Sequence, residues 1–181
     1  MKFARFSIEG KHIKGVIHDG VIKEISGDLF GDWKYTGDEY CANDVKWLSP
    51  LVPNQIIGIG ANYVARMEDL PRELPEIPVF FFKPTSSVIG PEEQIVIPEG
   101  IDRVKFESEL AIVIGKQAKM VPESEALNYV FGYTVGNDVT APQFSMKMAI
   151  GQSVNRLTHL PPLALSLKQN LIHFAFMLKQ R

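Results

Sequence analysis

The stretch Phe106-Glu107-Ser108-Glu109-Leu110-Ala111-Ile112-Val113-Ile114-Gly115 constrains this chain most, because it is the longest strand candidate and carries two carboxylates. On a strand, residues two apart share a face, so Glu107 and Glu109 project side by side from an element otherwise built of core-type residues. Two carboxylates beside a core repel each other, and the pair is costly unless a proton or a cation compensates. Paired hard oxygen donors suit Mg2+, Mn2+ or Ca2+, and Asp138, at the end of a second strand, would complete a set of three. The same pair also reads as a solvated strand edge with two ordinary glutamates, and E-x-E by itself leaves both readings open.

Around that strand the pattern is of short apolar runs cut by Gly and Pro. Residues 1–49 form a small β unit, in which Ile13–Ile17 and Val21–Ile25 flank His18-Asp19-Gly20, a hairpin turn with Asp-Gly supplying positive φ. A proline-punctuated linker, Trp47 to Pro53, leads into a second section over residues 50–144. It opens with Gln55 to Gly60, read as a buried strand ending in a glycine-rich bend. A short helix over Asn62 to Leu70, strands at Val79–Lys83, Gln94–Ile97 and Val130–Val135, and a short helix opened by Pro122 are expected to follow. No internal repeat or low-complexity segment interrupts the series.

Composition narrows the function classes. A chain of 181 residues with 45% hydrophobic and 22% charged residues buries a real core. Net charge is −2 with pI near 6.1 and no Lys/Arg cluster exceeds two neighbours, so nucleic acid and anionic membrane have no electrostatic footprint to bind. Cys41 is the single cysteine, which excludes an internal disulfide framework and a Cys-based zinc site and suits a reducing cytoplasm. Met1 to Arg5 runs into alternating residues, so no signal peptide is expected. Leu160 to Leu178 is interrupted by Lys168, Gln169, Asn170 and His173, and spanning a bilayer takes about 20 predominantly apolar residues.

Three further features carry less. Gly58-Ile59-Gly60 lacks the third glycine and the long following helix of a dinucleotide site, and a tight turn is the simpler reading. Lys83, at the end of the aromatic run Phe80-Phe81-Phe82, either neutralises a substrate carboxylate or guards a strand edge. His12 and His18 are expected to be exposed, and with His159 and His173 in the tail no Ser/His/Asp arrangement is defensible.

In order along the chain, Gly58 to Tyr63, Phe81 to Pro84, Ile89 to Pro91, Ile95 to Pro98, Glu107 to Lys116 and Gly132 to Ala141 match a glycine-rich strand into N-Y, F-x-K-P, I-G-P, I-x-x-P, E-x-E-L-A-x-V-I-G-K and G-Y-T-x-x-N-D-V-T-A. This series resembles the fumarylacetoacetate hydrolase superfamily, which includes 2-oxohept-3-ene-dioate isomerases, acylpyruvate hydrolases and oxaloacetate decarboxylases. The resemblance covers about residues 50 to 144. It implies a mixed, β-rich α+β fold, the β roll of the family's C-terminal domain behind a small N-terminal β domain, usually homodimeric. It also implies Glu107, Glu109 and Asp138 as ligands of Mg2+ or Mn2+, with Lys83 and Tyr63 on the substrate side. A metal there chelates a 2-oxo acid and stabilises the enolate formed as a C–C bond breaks or a double bond migrates.

Two departures qualify the expectation. The family's hydrolases and decarboxylases place a histidine in N-Y-x-x-H, where this chain has Arg66; arginine is no general base near neutral pH. Glu68 and Arg66 are the residues left at those catalytic positions, with Asp69 beside them, and the balance moves toward isomerisation or toward no catalysis. Second, the family's G-K-S-F-D-T-F-A-P-x-G-P segment is not visible. All 21 acidic residues lie at or before Asp138, after which five basic residues and no acid follow. Recombining the third base of each codon with the first two of the next, from Ser153 to Leu165, spells the missing segment, and loss of one T in a run near Phe144 accounts for the slip. Residues 145–181 are therefore expected to be out-of-frame translation, making this chain a truncated, catalytically silent member of an enzyme lineage or a binding remnant.

Overall fold

The computed structural model of the chain describes residues 1–60, 68, 77–142 and 165–168. Strands β1 (Lys2–Ile8), β2 (Lys11–His18), β3 (Val21–Gly27), β4 (Trp33–Cys41) and β5 (Lys46–Trp47) form one sheet in the order β4-β3-β2-β1-β5. The pairings are antiparallel. Two tight connections set their register: Glu9 and Gly10 take φ 49° and 78°, and Asp19 and Gly20 take 48° and 79°. Positive φ at both turn positions matches the right-handed twist of the flanking strands, so the Asp-Gly hairpin forms as the sequence predicts. Alternation along β1 turns Ala4 and Phe6 inward onto Ile22, with Phe6 and Ile22 fully buried. Burial of side chains of that size stabilises by about 1.5–3 kcal/mol each. The Tyr40 ring packs edge-on against Phe6 at 5.2 Å, and its hydroxyl donates to Glu24 Oε2 at 2.8 Å.

Beyond the linker, β6 (Ile56–Gly60) pairs antiparallel with β7 (Val79–Lys83). A second sheet holds β8 (Val88–Ile89), β9 (Ser108–Ile114), β10 (Val130–Asp138) and β11 (Leu165–Lys168) in the order β8-β11-β10-β9. β8 runs parallel to β11 and the other neighbours are antiparallel. Short 3-10 helices occupy Thr85–Ser87 and Glu123–Tyr129; Pro122 stands at the cap of the second, with Glu123 and Glu125 in its first turn. Among the described residues no helix is long and apolar enough to cross a membrane.

Two local expectations are corrected. Gly58 and Gly60 lie inside β6 rather than in a turn, and the reason at Gly58 is steric: a Cβ there would stand 2.3 Å from the Phe81 ring, which lies across the bare backbone. Gln94–Ile97 forms no strand; it makes no ladder among the described residues, and Val96 is 77% exposed. The helix expected over Asn62–Leu70 lies outside the described residues apart from Glu68.

The N-terminal sheet sits against the β9–β10 end of the second sheet. Phe131 of β10 packs on Phe3 (ring centroids 5.3 Å) and on Phe30 (4.9 Å). Leu29, Pro50, Leu51, Val113 and Thr134 complete this apolar seam. Arg5 Nη1 donates to Ser49 O at 3.2 Å, and the Leu48 N–H donates to Arg5 O at 3.0 Å, tying the linker to β1. The opposite face of β9 is uncovered among the described residues: Leu110, Ile112 and Ile114 are each more than half exposed, as are Phe80 and Phe82 of β7.

Candidate functional site

The β9–β10 register places the carboxylates. Directly opposed residues of an antiparallel pair point to the same face. Val113 opposes Gly132, Ala111 opposes Thr134, and Glu109 opposes Gly136. One step further the Asp138 N–H donates to Glu107 O at 2.8 Å, so Asp138 stands opposite Glu107. Glu107, Glu109 and Asp138 thus share one face at one end of the ladder, the face on which Thr134, Gly136 and Asp138 are buried. The alternation that sets Leu110, Ile112 and Ile114 outward is the same alternation that sets the glutamates inward.

Electrostatics follow from this crowding. Burial pushes the Glu109 carboxyl above its ordinary value, and the Asp138 and Glu107 carboxylates push it further the same way. Asp138, 11% exposed at its side chain, is neutralised by Lys83, whose side chain is 13% exposed. The Lys83 ammonium, carried on the last residue of β7, donates to Asp138 Oδ1 and, at 3.4 Å, to Val139 O. Asn137, which sequence reasoning gave no role, holds the neighbouring carboxylate's backbone: its Oδ1 accepts from the Glu107 N–H at 3.1 Å. The only local signal for it is its place directly before Asp138.

The remaining expected residues are distributed differently. Tyr63 and Arg66 lie outside the described residues, and Glu68 is exposed. His12 and His18 are exposed, with His18 Nδ1 3.1 Å from Asp19 Oδ2. A concavity on the N-terminal sheet, lined by Lys2, Val16, Lys23, Tyr35 and Trp47, touches none of the three carboxylates.

Chemically the three carboxylates are a hard oxygen set without thiolate or imidazole, the donor type that Mg2+, Mn2+ and Ca2+ prefer. The upward push on Glu109, from burial first and then from the Asp138 and Glu107 carboxylates, is one that a bound cation would oppose. By these criteria the residues fit a divalent ion. Their present spacing is not that of a closed ligand cage: among the described residues, no group of three or more His, Cys, Asp or Glu is gathered tightly enough to enclose one.

Comparison with known proteins extends these observations. The family model described as Fumarylacetoacetate (FAA) hydrolase C-terminal matches residues 55–169, and the one described as Rv2993c-like, N-terminal matches residues 1–50. The oxaloacetate tautomerase fahd2 of Xenopus laevis is 42% identical over 106 residues, 58% of this chain and 33% of that protein. The crystal structure of 5-carboxymethyl-2-hydroxymuconate delta-isomerase from Mycobacterium smegmatis superposes with a TM-score of 0.78 at 32% identity, over 95% of this chain and 66% of that one. Maleylpyruvate hydrolase from Sphingobium sp. SYK-6, solved in complex with manganese(II) ion and pyruvate, superposes with a TM-score of 0.61 at 27% identity, over 77% of this chain and 59% of that one. The chain spans about half the length of the curated relatives it matches, 52%, 45% and 42% for three of them. With a strand-rich fold, a carboxylate-bearing ladder and a family match over residues 55–169, the chain belongs to the fumarylacetoacetate hydrolase family.

Proposed function

We propose that this chain carries part of the active site of a cytoplasmic, homodimeric, divalent-metal-dependent enzyme that converts small 2-oxo/enol acids, with isomerisation or keto–enol tautomerisation favoured over hydrolysis. The observation that carries the reading is the placement of Glu107, Glu109 and Asp138 on one face of the β9–β10 ladder. These three would hold Mg2+ or Mn2+. An ion held there would supply Lewis-acid stabilisation to a 2-oxo acid that chelates it and to the enolate form of that acid. Lys83 has three N–H donors, of which Asp138 Oδ1 and Val139 O take two, leaving one for a substrate carboxylate, and the family resemblance gives Tyr63 a substrate-binding role as well. Arg66 holds a positive charge but takes no proton, so water activation falls to Glu68 without its usual histidine, which weighs against hydrolysis. The net charge of −2 supports a small-molecule ligand over nucleic acid or a membrane. The assay is disappearance of the enol absorbance of oxaloacetate with and without Mn2+. Metal-dependent conversion, lost in Glu107→Ala, is expected; conversion or melting indifferent to Mn2+ in folded protein overturns the metal assignment.

A second reading is favoured by the uncovered apolar face of β9, where Leu110 is 53% and Ile112 and Ile114 are each 54% exposed. On it, the polypeptide as translated is catalytically silent, because the residues after Phe144 are read in the wrong frame. Faces and edges of this kind drive aggregation or capture of a partner. Sequencing the gene past the Gln143 codon separates the two: an open shifted frame spelling G-K-S-F-D-T-F-A-P moves activity to the repaired gene. A closed shifted frame makes residues 145–181 native sequence.

A further inference from the structure

Lys83 and Asp138 are 55 positions apart and belong to different sheets, β7 and β10. Their contact is nearly closed to solvent, with side-chain exposures of 13% and 11%. Lys83 is fixed at both ends of its reach: its backbone pairs with Ile56 in the β6–β7 ladder, and its ammonium meets Asp138 Oδ1 and the carbonyl of the following residue, Val139. Val139 is itself 2% exposed, so this carbonyl lies in packed structure. Of the two Asp138 carboxylate oxygens, Oδ1 is the one that receives the Lys83 ammonium. A carboxylate held at one oxygen by a buried ammonium has its rotation restricted, and Asp138 stands on the face shared with Glu107 and Glu109.

From this arrangement we infer that Lys83 is a positioning residue for the metal-ligand carboxylate Asp138, orienting it through a buried charge-assisted hydrogen bond. The inference rests on the proposed metal role of the three carboxylates and deepens it. Two effects of Lys83 oppose each other. Its positive charge repels a nearby divalent ion, and its hydrogen bond saves the ion from having to order the ligand. Orientation wins where the ammonium is anchored elsewhere and cannot follow the carboxylate, and the contact with Val139 O supplies that anchor. The alternative is a rival: a lysine that occupies Asp138 and must be displaced before an ion enters.

Mn2+ binding to the full chain, read from the electron paramagnetic resonance signal of the free aqua ion, decides between them without any turnover. Wild type, Lys83→Met and Lys83→Gln are compared, each checked for native circular dichroism. Loss of a partner behind a ligand weakens metal affinity by about 10–100-fold, and Lys83→Met is expected in that range. Lys83→Gln, which keeps a donor without the charge, is expected to lie between Lys83→Met and wild type, and it carries the test if Lys83→Met does not fold. Affinity equal to or tighter than wild type in the variant overturns the inference and makes Lys83 a rival cation, while the metal reading stands. No binding by wild type overturns the metal reading and the inference with it.

Discussion

Glu107 and Asn137 are bound side chain to backbone: the Asn137 amide oxygen accepts the Glu107 N–H at 3.1 Å, one position before Asp138 returns its own N–H to Glu107 O at 2.8 Å. The end of the ladder is thereby closed on both sides of Glu107, and the two carboxylates that face each other there share one rigid backbone frame.

Asn137→Ala removes that acceptor and leaves the half-buried Glu107 N–H without a partner. Loss of such a bond costs about 1–3 kcal/mol when the remaining group is desolvated. Urea denaturation of the variant is expected to show a lower midpoint at unchanged slope, with Mn2+ affinity lowered alongside it.

Glu109 gives a pH signature. Burial first, and then Asp138 and Glu107, raise its carboxyl above the unfolded value, so the folded chain binds this proton more tightly than the unfolded chain does. The stabilisation is complete below the unfolded value and is lost as pH rises through the folded one, leaving ionised Glu109 a net cost at neutral pH. Metal-free protein is expected to melt higher as pH falls from neutrality toward the carboxylate range. Glu109→Gln should flatten that dependence and raise the melting temperature at pH 7; an unchanged profile in the variant would remove Glu109 as its source.

Gly115 ends the motif E-x-E-L-A-x-V-I-G for a packing reason. A Cβ on it would stand 2.7 Å from Phe131 Cβ and 3.3 Å from the Phe30 ring, inside the seam that joins the two sheets. Gly115→Ala therefore forces Phe131 off the N-terminal sheet. Overpacking of this kind costs about 1–3 kcal/mol, and limited proteolysis is expected to cut the 48–53 linker faster in the variant.

Much of this was readable from local pattern. Asp19-Gly20 announced the first hairpin because two positive φ values in sequence leave few other options, and E-S-E-L-A-I-V-I announced both the strand and the shared face of its glutamates because period two is all that argument needs. What escaped notice depends on distance along the chain. Gly58 looks like a turn until Phe81 is known to lie over it, and Lys83 looks like a gatekeeper until Asp138 is known to receive it. Gln94–Ile97 has the composition of a strand but found no ladder partner among the described residues, since composition names a willingness to pair and not a neighbour. The family resemblance located Asp138 beside the glutamates; the register between β9 and β10 supplied the reason.

β10 carries the aromatic seam at its first turn of residues and the buried carboxylate at its last, with Phe131 and Asp138 seven residues apart, roughly 23 Å along an extended strand. The surface that accepts the N-terminal sheet and the face that carries the acids therefore use the same strands at opposite ends. Such a division makes the N-terminal sheet exchangeable in principle: a graft from a relative would have to reproduce the fit at Phe3, Leu29, Phe30, Pro50 and Leu51, and the acidic end of the strand would be inherited intact.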